Sequence, residues 1–379
     1  MKICLITHGR VNPDGENGVT RTVYNLNKYL NNKGVVSEIF SFNDNQTAVE
    51  DFQRDKDTKI KLFPRSKFFK NKTFNDFILS DEFDFDIVHF HLMWMIDKNT
   101  ILKALKKKKI PYTITIHGAY APNLIDTIKK KVSMMTIEKT YIENANALHA
   151  LCYEEKYYLR NLGLKMPIYV IPNGISSSEL QKINNSKELP SPFSSNFINI
   201  VWVGRIREDK NIIGIVGALN YLKKEIRDTI KIHLVGNGIE NCIFKVKEFI
   251  KNNSLEEYVI FHVPKYKEEK YQFIIHSDIY IQPSFSEGIS FSILDAMACA
   301  KPMILSRQTN MTYYFNKNFY AMTETYPEDI AFRIKTLAEN ENLRSKLGGN
   351  AKKMIEEVFD WNSLIFEYID MYKKIIKNA

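Results

Sequence analysis

Short runs of β-branched and aromatic residues alternate along this chain with longer stretches whose apolar positions recur at helical spacing. In the first half the strand-like runs are KICLI (2–6), FDIVHFH (85–91), PYTITIH (111–117), ALHALC (147–152) and IYVIPN (168–173). Helical patterns such as TRTVYNLNKYLNNKG (20–34) and NTILKALKKKK (99–109) lie between them. Strands that are apolar on both faces and alternate with helices predict a parallel sheet covered by helices, an α/β fold. The stretch SSSELQKINNSKELPSPFSSN (176–196) interrupts this pattern and reads as a linker. The alternation then restarts with INIVWVG (198–204), TIKIHLVG (229–236), VIFHV (259–263), DIYIQPS (278–284) and PMILS (302–306). Near the end, Leu364, Ile365, Tyr368, Ile369 and Tyr372 keep helical spacing and predict an amphipathic helix. The expected organisation is an N-terminal α/β domain over 1–178, a second over 197–355, and a helix over 356–379 returning to the first.

Composition supports two packed cores. The chain has 379 residues, 44% hydrophobic and 26% charged, which is too long for one core and too apolar for a disordered chain. Lys and Arg exceed Asp and Glu by 53 to 44, a net charge of +9 that suits an anionic substrate, an anionic membrane surface or nucleic acid. No groove-reading helix is recognisable, so nucleic acid is not an expected partner. The lysine runs at 106–109 and 129–131 are the candidates for peripheral contact with a membrane. Cys4, Cys152, Cys242 and Cys299 are widely spaced within apolar runs, as reduced core thiols are. No run of 18 apolar residues occurs, and the start lacks a signal-peptide pattern, so a cytoplasmic location is expected.

Each half places a glycine loop after its first strand. Gly15 and Gly18 precede the first helix, where backbone N–H groups can meet a phosphate or a sugar hydroxyl. In the second half Gly204, Arg205 and Lys210 follow the strand end, where open α/β sheets bind ligands. A guanidinium and an ammonium there suit a diphosphate; local pairing with Glu208 and Asp209 is the competing reading. The segment PSFSEGISFSILDAMACAKPMILS (283–306) joins a strand, a turn and a helix, so Gly288, Ile289, Ser290 and Phe291 supply N–H groups at a helix N-terminus. Glu287 lies just outside it and Asp295 about one turn inside. Acids flanking an anion site fit the hydroxyls of a sugar and a ribose. Two further patterns point to metals. Asp84 and Asp86 form a D-x-D but precede their strand, and His89 and His91 are expected to diverge, His89 into the core and His91 to a cleft. No metal site is expected.

The 283–306 segment resembles the signature of the group-1 retaining glycosyltransferases, family 4 of the GT-B fold. Its two acids, Glu287 and Asp295, are separated as in that family. VWVGRIREDKN, HLVGNGIE, VIPNGI, TITIHG, DIVHFH and the terminal FDWNSLIFEYIDMY are similar to further family elements, in family order over nearly the whole chain. The resemblance implies two Rossmann-like domains facing across a cleft, and transfer of a sugar, with retention, from a nucleoside-diphosphate donor. The donor is expected to be UDP- or GDP-linked, the acceptor a glycan or lipid-linked hydroxyl in bacterial surface polysaccharide synthesis. It implies no metal ion and no other cofactor.

By the same resemblance Arg205 and Lys210 hold the donor diphosphate, Glu287 contacts the transferred sugar, Asp295 the ribose, and His117 the sugar near its anomeric centre. Gly18 matches the loop near the reacting phosphate, and Gly204 and the N–H groups of residues 288–291 line the donor. This chain departs from the family at Asp295, where Glu is usual, at Asn17 and Ala300, where Gly is usual, and at Gly118, where an acid is frequent. An epimerase or hydrolase of the same fold, or a carbohydrate-binding protein without catalysis, are the alternative readings.

Overall fold

KICLITH, free of turn formers, becomes the central strand of an eight-stranded sheet. The computed structural model describes residues 1–9, 11, 17–43, 48–56, 58–64, 72–93, 98–120 and 127–379, without the side chains at 99, 129, 134, 135 and 137. Gly15 and the side chain of Lys129 lie outside the described residues. Two units result, Met1–Asn173 together with Trp361–Ala379, and Gly174–Asp360.

In the first unit the strands are β1 (Lys2–His8), β2 (Val36–Asn43), β3 (Glu50–Asp55), β4 (Thr58–Pro64), β5 (Ile87–Phe90), β6 (Tyr112–Thr115), β7 (Ala147–Ala150) and β8 (Ile168–Val170). Their order is β3-β4-β2-β1-β5-β6-β7-β8, parallel throughout except for β3 against β4. Strands β2 to β4 add to those predicted from sequence. Exposed Val36, Glu38 and Lys59 interleave with their buried residues, the alternation of a sheet with a wetter edge. One face carries an aromatic core around Phe40, Phe63, Phe74 and Phe83. The other buries Val23 and Leu26 of helix Gly18–Asn32 against the last helix, Trp361–Lys377. Leu364, Ile365, Tyr368 and Tyr372 of the predicted apolar stripe are buried there, and Trp361 stacks on Tyr29 at 5.8 Å.

The second unit has β9 (Ile198–Val203), β10 (Ile230–Val235), β11 (Val259–His262), β12 (Ile279–Gln282), β13 (Met303–Ser306) and β14 (Ala321–Thr323). All pair in parallel in the order β11-β10-β9-β12-β13-β14. The chain builds outward from β9 to β11, then returns to lay β12 on the other side of β9. That reversal is the topological switch point, where loops diverge and leave a crevice at the carboxyl ends of the strands.

The segment 176–196 is not simply a linker. Ser177–Ser186 is a helix of the second unit, started by a capping box between Ser176 and Glu179 and tied to helix Lys267–Ile275 by the Ser186 hydroxyl on the Glu268 carbonyl at 3.0 Å. Residues 356–360 likewise stay with the second unit: helix Glu341–Glu357 ends among them, and the Phe359 carbonyl accepts from the Ile175 N–H at 2.7 Å. All four cysteines are buried and unbridged. Among the described residues no helix is long and apolar enough to cross a membrane.

Ala300 adopts φ 56 just past helix Phe291–Ala298, donating to Met297 while Lys301 donates to Ala296. This is the left-handed helix stop that glycine fills at no steric cost; alanine costs about 1 kcal/mol there. The family's glycine at this position thus has a backbone reason.

Candidate active site

The switch point of the second unit is lined by the loops after β9 and β12. After β9, Gly204 donates to Val235 at 3.1 Å and Ile206 to Asn237 at 2.8 Å, while Ile239 donates back to Ile206 at 3.1 Å. This approach needs glycines on the far side. A Cβ on Gly236 would lie 1.9 Å from the Gly204 carbonyl oxygen, and one on Gly238 2.0 Å from that of Ile206. The chain then makes a single turn, Glu208–Lys210, and Asn211 reverses it at φ 55, its amide donating to Pro283 at 3.1 Å and Thr325 at 2.8 Å. Phe285 donates to Asp209 at 2.8 Å, joining the two loops.

The competing reading of these charges as local ion pairs holds for the neighbours and not for Arg205. Arg207 pairs with Asp209 at 2.8 Å and Lys245 with Glu208 at 2.8 Å, whereas Lys210 reaches Glu287 at 2.7 Å and Asp209 at 3.3 Å. Arg205 is exposed and has no partner among the described residues. An unpaired guanidinium at a strand end retains all its donors for an anion.

Glu287 is held from every side but one. Its Oε1 accepts from Lys210 at 2.7 Å, Ser284 at 2.8 Å and Gln282 at 2.5 Å. Its Oε2 accepts nothing among the described residues. The backbone is fixed as well, the Glu287 N–H donating to Gln308 at 3.0 Å and its carbonyl accepting from Asn310 at 2.6 Å. Gln282 is itself oriented, its oxygen accepting from Tyr280 at 2.7 Å and Ser292 at 3.0 Å, so its NH₂ faces Glu287 and Ser290. A carboxylate with one oxygen saturated and one open is a preset acceptor for a ligand hydroxyl.

Gly288 and Ile289 lead into helix Phe291–Ala298, with Ser290 at its N-cap and the Ile289 side chain buried in the core. The Ser290 hydroxyl bonds Gln282 and Ser292 rather than capping the helix, and the first helical bond runs from Leu294 to the Ser290 carbonyl. Asp295 is 1% exposed. Lys270 of helix Lys267–Ile275 meets it at 2.7 Å and the Tyr271 hydroxyl at 3.3 Å. The shorter acid therefore has a cation beside it. Lys270 and Asn310 were not legible as site residues, because Lys270 reaches the Asp295 carboxylate and Asn310 the Glu287 carbonyl from other elements; Gln282 lies only five positions before Glu287, but its orientation by Tyr280 and Ser292 leaves no mark in the sequence.

The first unit holds the remaining predicted residues. Gly18 is the first residue of helix Gly18–Asn32, and Asn17, in the place of a family glycine, caps it by accepting from Val19 at 3.0 Å. His117 follows β6 with φ 49, and Gly118 continues at φ 76. His117 is half-buried, burial lowers its pKa to about 3 with His149 adding to the shift, and its Nε2 lies 3.0 Å from His91 Nδ1. Near it Glu155, buried, accepts from Leu151 at 2.6 Å; burial pushes its carboxyl up to about 7, while the Leu151 and Gly118 N–H groups pull it back.

His89 and His91 do not diverge. Residues two apart on a strand share a face, and the two rings lie 4.2 Å apart. His89 belongs to a buried chain whose directions are set by its last acceptor. His149 Nε2 donates to the Ile171 carbonyl at 2.8 Å, so its Nδ1 accepts from Thr115 at 2.7 Å; Thr115 then accepts from His89 Nε2 at 2.6 Å, and His89 Nδ1 accepts from Tyr372 at 2.7 Å. Asp84 and Asp86 are occupied at the opposite end of the sheet by the Lys2 side chain and by the N-terminal amine with the Lys2 N–H. Among the described residues no group of three His, Cys, Asp or Glu could hold a metal.

Comparison with known proteins follows the same division. The model of glycosyl transferases group 1 matches residues 185–354, and that of glycosyltransferase family 4 matches residues 16–179. An uncharacterised glycosyltransferase of Methanocaldococcus jannaschii is 28% identical over 84% of this chain and 82% of its own length. The N,N'-diacetylbacillosaminyl-diphospho-undecaprenol α-1,3-N-acetylgalactosaminyltransferase of Campylobacter jejuni is 25% identical over 73% of this chain and 74% of its own. In fold, the chain is similar to sucrose-phosphate synthase of Thermosynechococcus elongatus, with a TM-score of 0.78, 16% identity and full coverage of both chains. It is also similar to Anabaena HepE in complex with UDP and glucose, at a TM-score of 0.74 and 13% identity over 98% of this chain and 99% of that one. Fold and likeness together define a glycosyltransferase of the GT-B class. The chain belongs to the group-1 glycosyltransferases, with a family 4 first domain.

Proposed function

We propose that this protein is a retaining glycosyltransferase that takes a sugar from a nucleoside-diphosphate donor, UDP- or GDP-linked, and places it on a hydroxyl of a glycan or lipid-linked acceptor in bacterial surface polysaccharide synthesis. The observation that carries the reading is the contrast at the β9 loop: its other charges are paired, while Arg205 stands open at the switch point that also presents Glu287. Arg205 and Lys210 would hold the diphosphate and stabilise the charge growing on it, the kind of prearranged electrostatics that commonly dominates such catalysis. Gly204 and the backbone of Gly288, Ile289, Ser290 and Phe291 would let that group approach closely. Glu287 Oε2 would accept from the transferred sugar, and Asp295, held by Lys270, from the ribose. By the family resemblance His117 would contact the sugar and Gly18 would lie near the reacting phosphate.

In the step itself the bond from the anomeric carbon to the phosphate oxygen breaks. The acceptor oxygen bonds that carbon from the same face, and its proton passes to the departing phosphate oxygen. The relatives' names support the acceptor class, since they include a diphospho-undecaprenol sugar transferase and capsular polysaccharide and teichuronic acid glycosyltransferases. Peripheral membrane contact is supported by helix Ile128–Met135, whose Ile128 and Val132 are exposed beside Lys130 and Lys131. Proton NMR of the sugar first released from an α-linked UDP- or GDP-sugar tests the stereochemistry. The α anomer is expected to appear first; a β anomer in the earliest spectra overturns retention, and an epimerised donor replaces transfer by isomerisation.

A further inference from the structure

The first unit carries a second histidine pairing that the buried chain through His89 does not include. His91 follows β5 in strand register, its N–H donating to Ile6 at 2.8 Å, and the residue is 3% exposed. Its Nδ1 faces His117 Nε2 at 3.0 Å, while its own Nε2 is buried with no partner among the described residues. Burial lowers the pKa of both rings, with neighbouring histidines adding to the shift, so both are neutral near pH 7. Two neutral imidazoles facing each other share one proton, and two arrangements are open.

If His117 donates, His91 carries its proton on Nε2, a buried N–H without an acceptor. If His91 donates from Nδ1, the buried Nε2 is a bare lone pair. An orphaned donor in a dry site is the costlier of the two. We infer that His91 is a positioning residue which donates from Nδ1 to His117 and so fixes the proton of His117 on Nδ1. The consequence is chemical. His117 then presents a hydrogen-bond donor and no acceptor, so it can hold an oxygen of a sugar or phosphate but cannot take a proton from an attacking hydroxyl. The left-handed backbone at His117 and Gly118, with φ of 49 and 76, holds the ring in that setting. That consequence rests on the reading of His117 as a donor contact, whereas the proton's position does not.

Long-range proton–nitrogen correlation spectra of the full-length protein labelled with nitrogen-15 histidine read the protonated ring nitrogen directly, with no substrate present. Wild type is expected to show His117 protonated on Nδ1; protonation on Nε2 overturns the inference. In H91F the constraint is gone, and His117 is expected to move to the Nε2–H form that an unconstrained imidazole favours. An H91F spectrum unchanged at His117 removes His91 as the cause. Should H91F fail to fold, the wild-type spectrum alone decides. A protein that binds no nucleotide yet shows the Nδ1–H form would refute the proposed function and leave this inference standing.

Discussion

Glu287→Gln is expected to leave the fold in place and to lower turnover of a nucleotide sugar roughly 100- to 1,000-fold. The change keeps the side chain's size and one oxygen. It exchanges the carboxylate, whose Oε1 gathers Lys210, Ser284 and Gln282, for an amide that presents either an NH₂ to Lys210 or an NH₂ to the ligand. Either orientation spoils one function: pairing with the cation, or acceptance from the sugar. Lys210 keeps Asp209 at 3.3 Å, so the loop after β9 retains a counter-charge and the melting temperature should change little. The loss should appear in kcat more than in donor affinity, because on the proposed reading Arg205 and Lys210 would still hold the diphosphate. A Glu287→Gln enzyme that turns over within twofold of wild type would remove this acid from the chemistry.

Gly236→Ala is the substitution with the largest expected effect on stability. The residue sits at φ 148, and its Cβ would lie 1.9 Å from the Gly204 carbonyl oxygen, a backbone atom with no way to swing aside. Strain at that φ and overpacking together cost about 4 kcal/mol. Relief requires opening the bonds that join residues 204–206 to 235–239, which also displaces Arg205. Gly349→Ala is the control: that glycine lies in helix Glu341–Glu357 with nothing within 4 Å of an added Cβ, and alanine there should be neutral or stabilising. Thermal unfolding of both variants checks the contrast, and a Gly236→Ala protein that melts with wild type contradicts the described packing.

Much of the fold was legible because buried parallel strands leave a local signature: each apolar run of the second half became a strand of its sheet. The antiparallel strand β3 left none, since Glu50–Asp55 has five polar residues in six and pairs only at an edge. Residues 176–196 looked like a linker by their Ser, Asn and Pro content, yet Ser176 and Glu179 form a capping box whose spacing is visible in the sequence. There the start signal outweighs the weakly apolar helix it begins. Site acids and cations could be found by their motif, but their settings could not. Lys270 reaches Asp295 across 25 positions and His91 meets His117 across 26, through neighbouring elements whose register no local pattern records. The same holds for Arg205: sequence places it beside Glu208 and Asp209, and only the structure shows both acids given to other cations.

The most direct measurement is calorimetric titration of the protein with UDP and with GDP, in wild type and in Arg205→Ala. One of the two nucleotides should bind wild type, and the loss of an unpaired guanidinium on the diphosphate should weaken it roughly ten- to a hundredfold. Heat from neither nucleotide, or equal affinity in the variant, would contradict a diphosphate seat at the carboxyl end of β9.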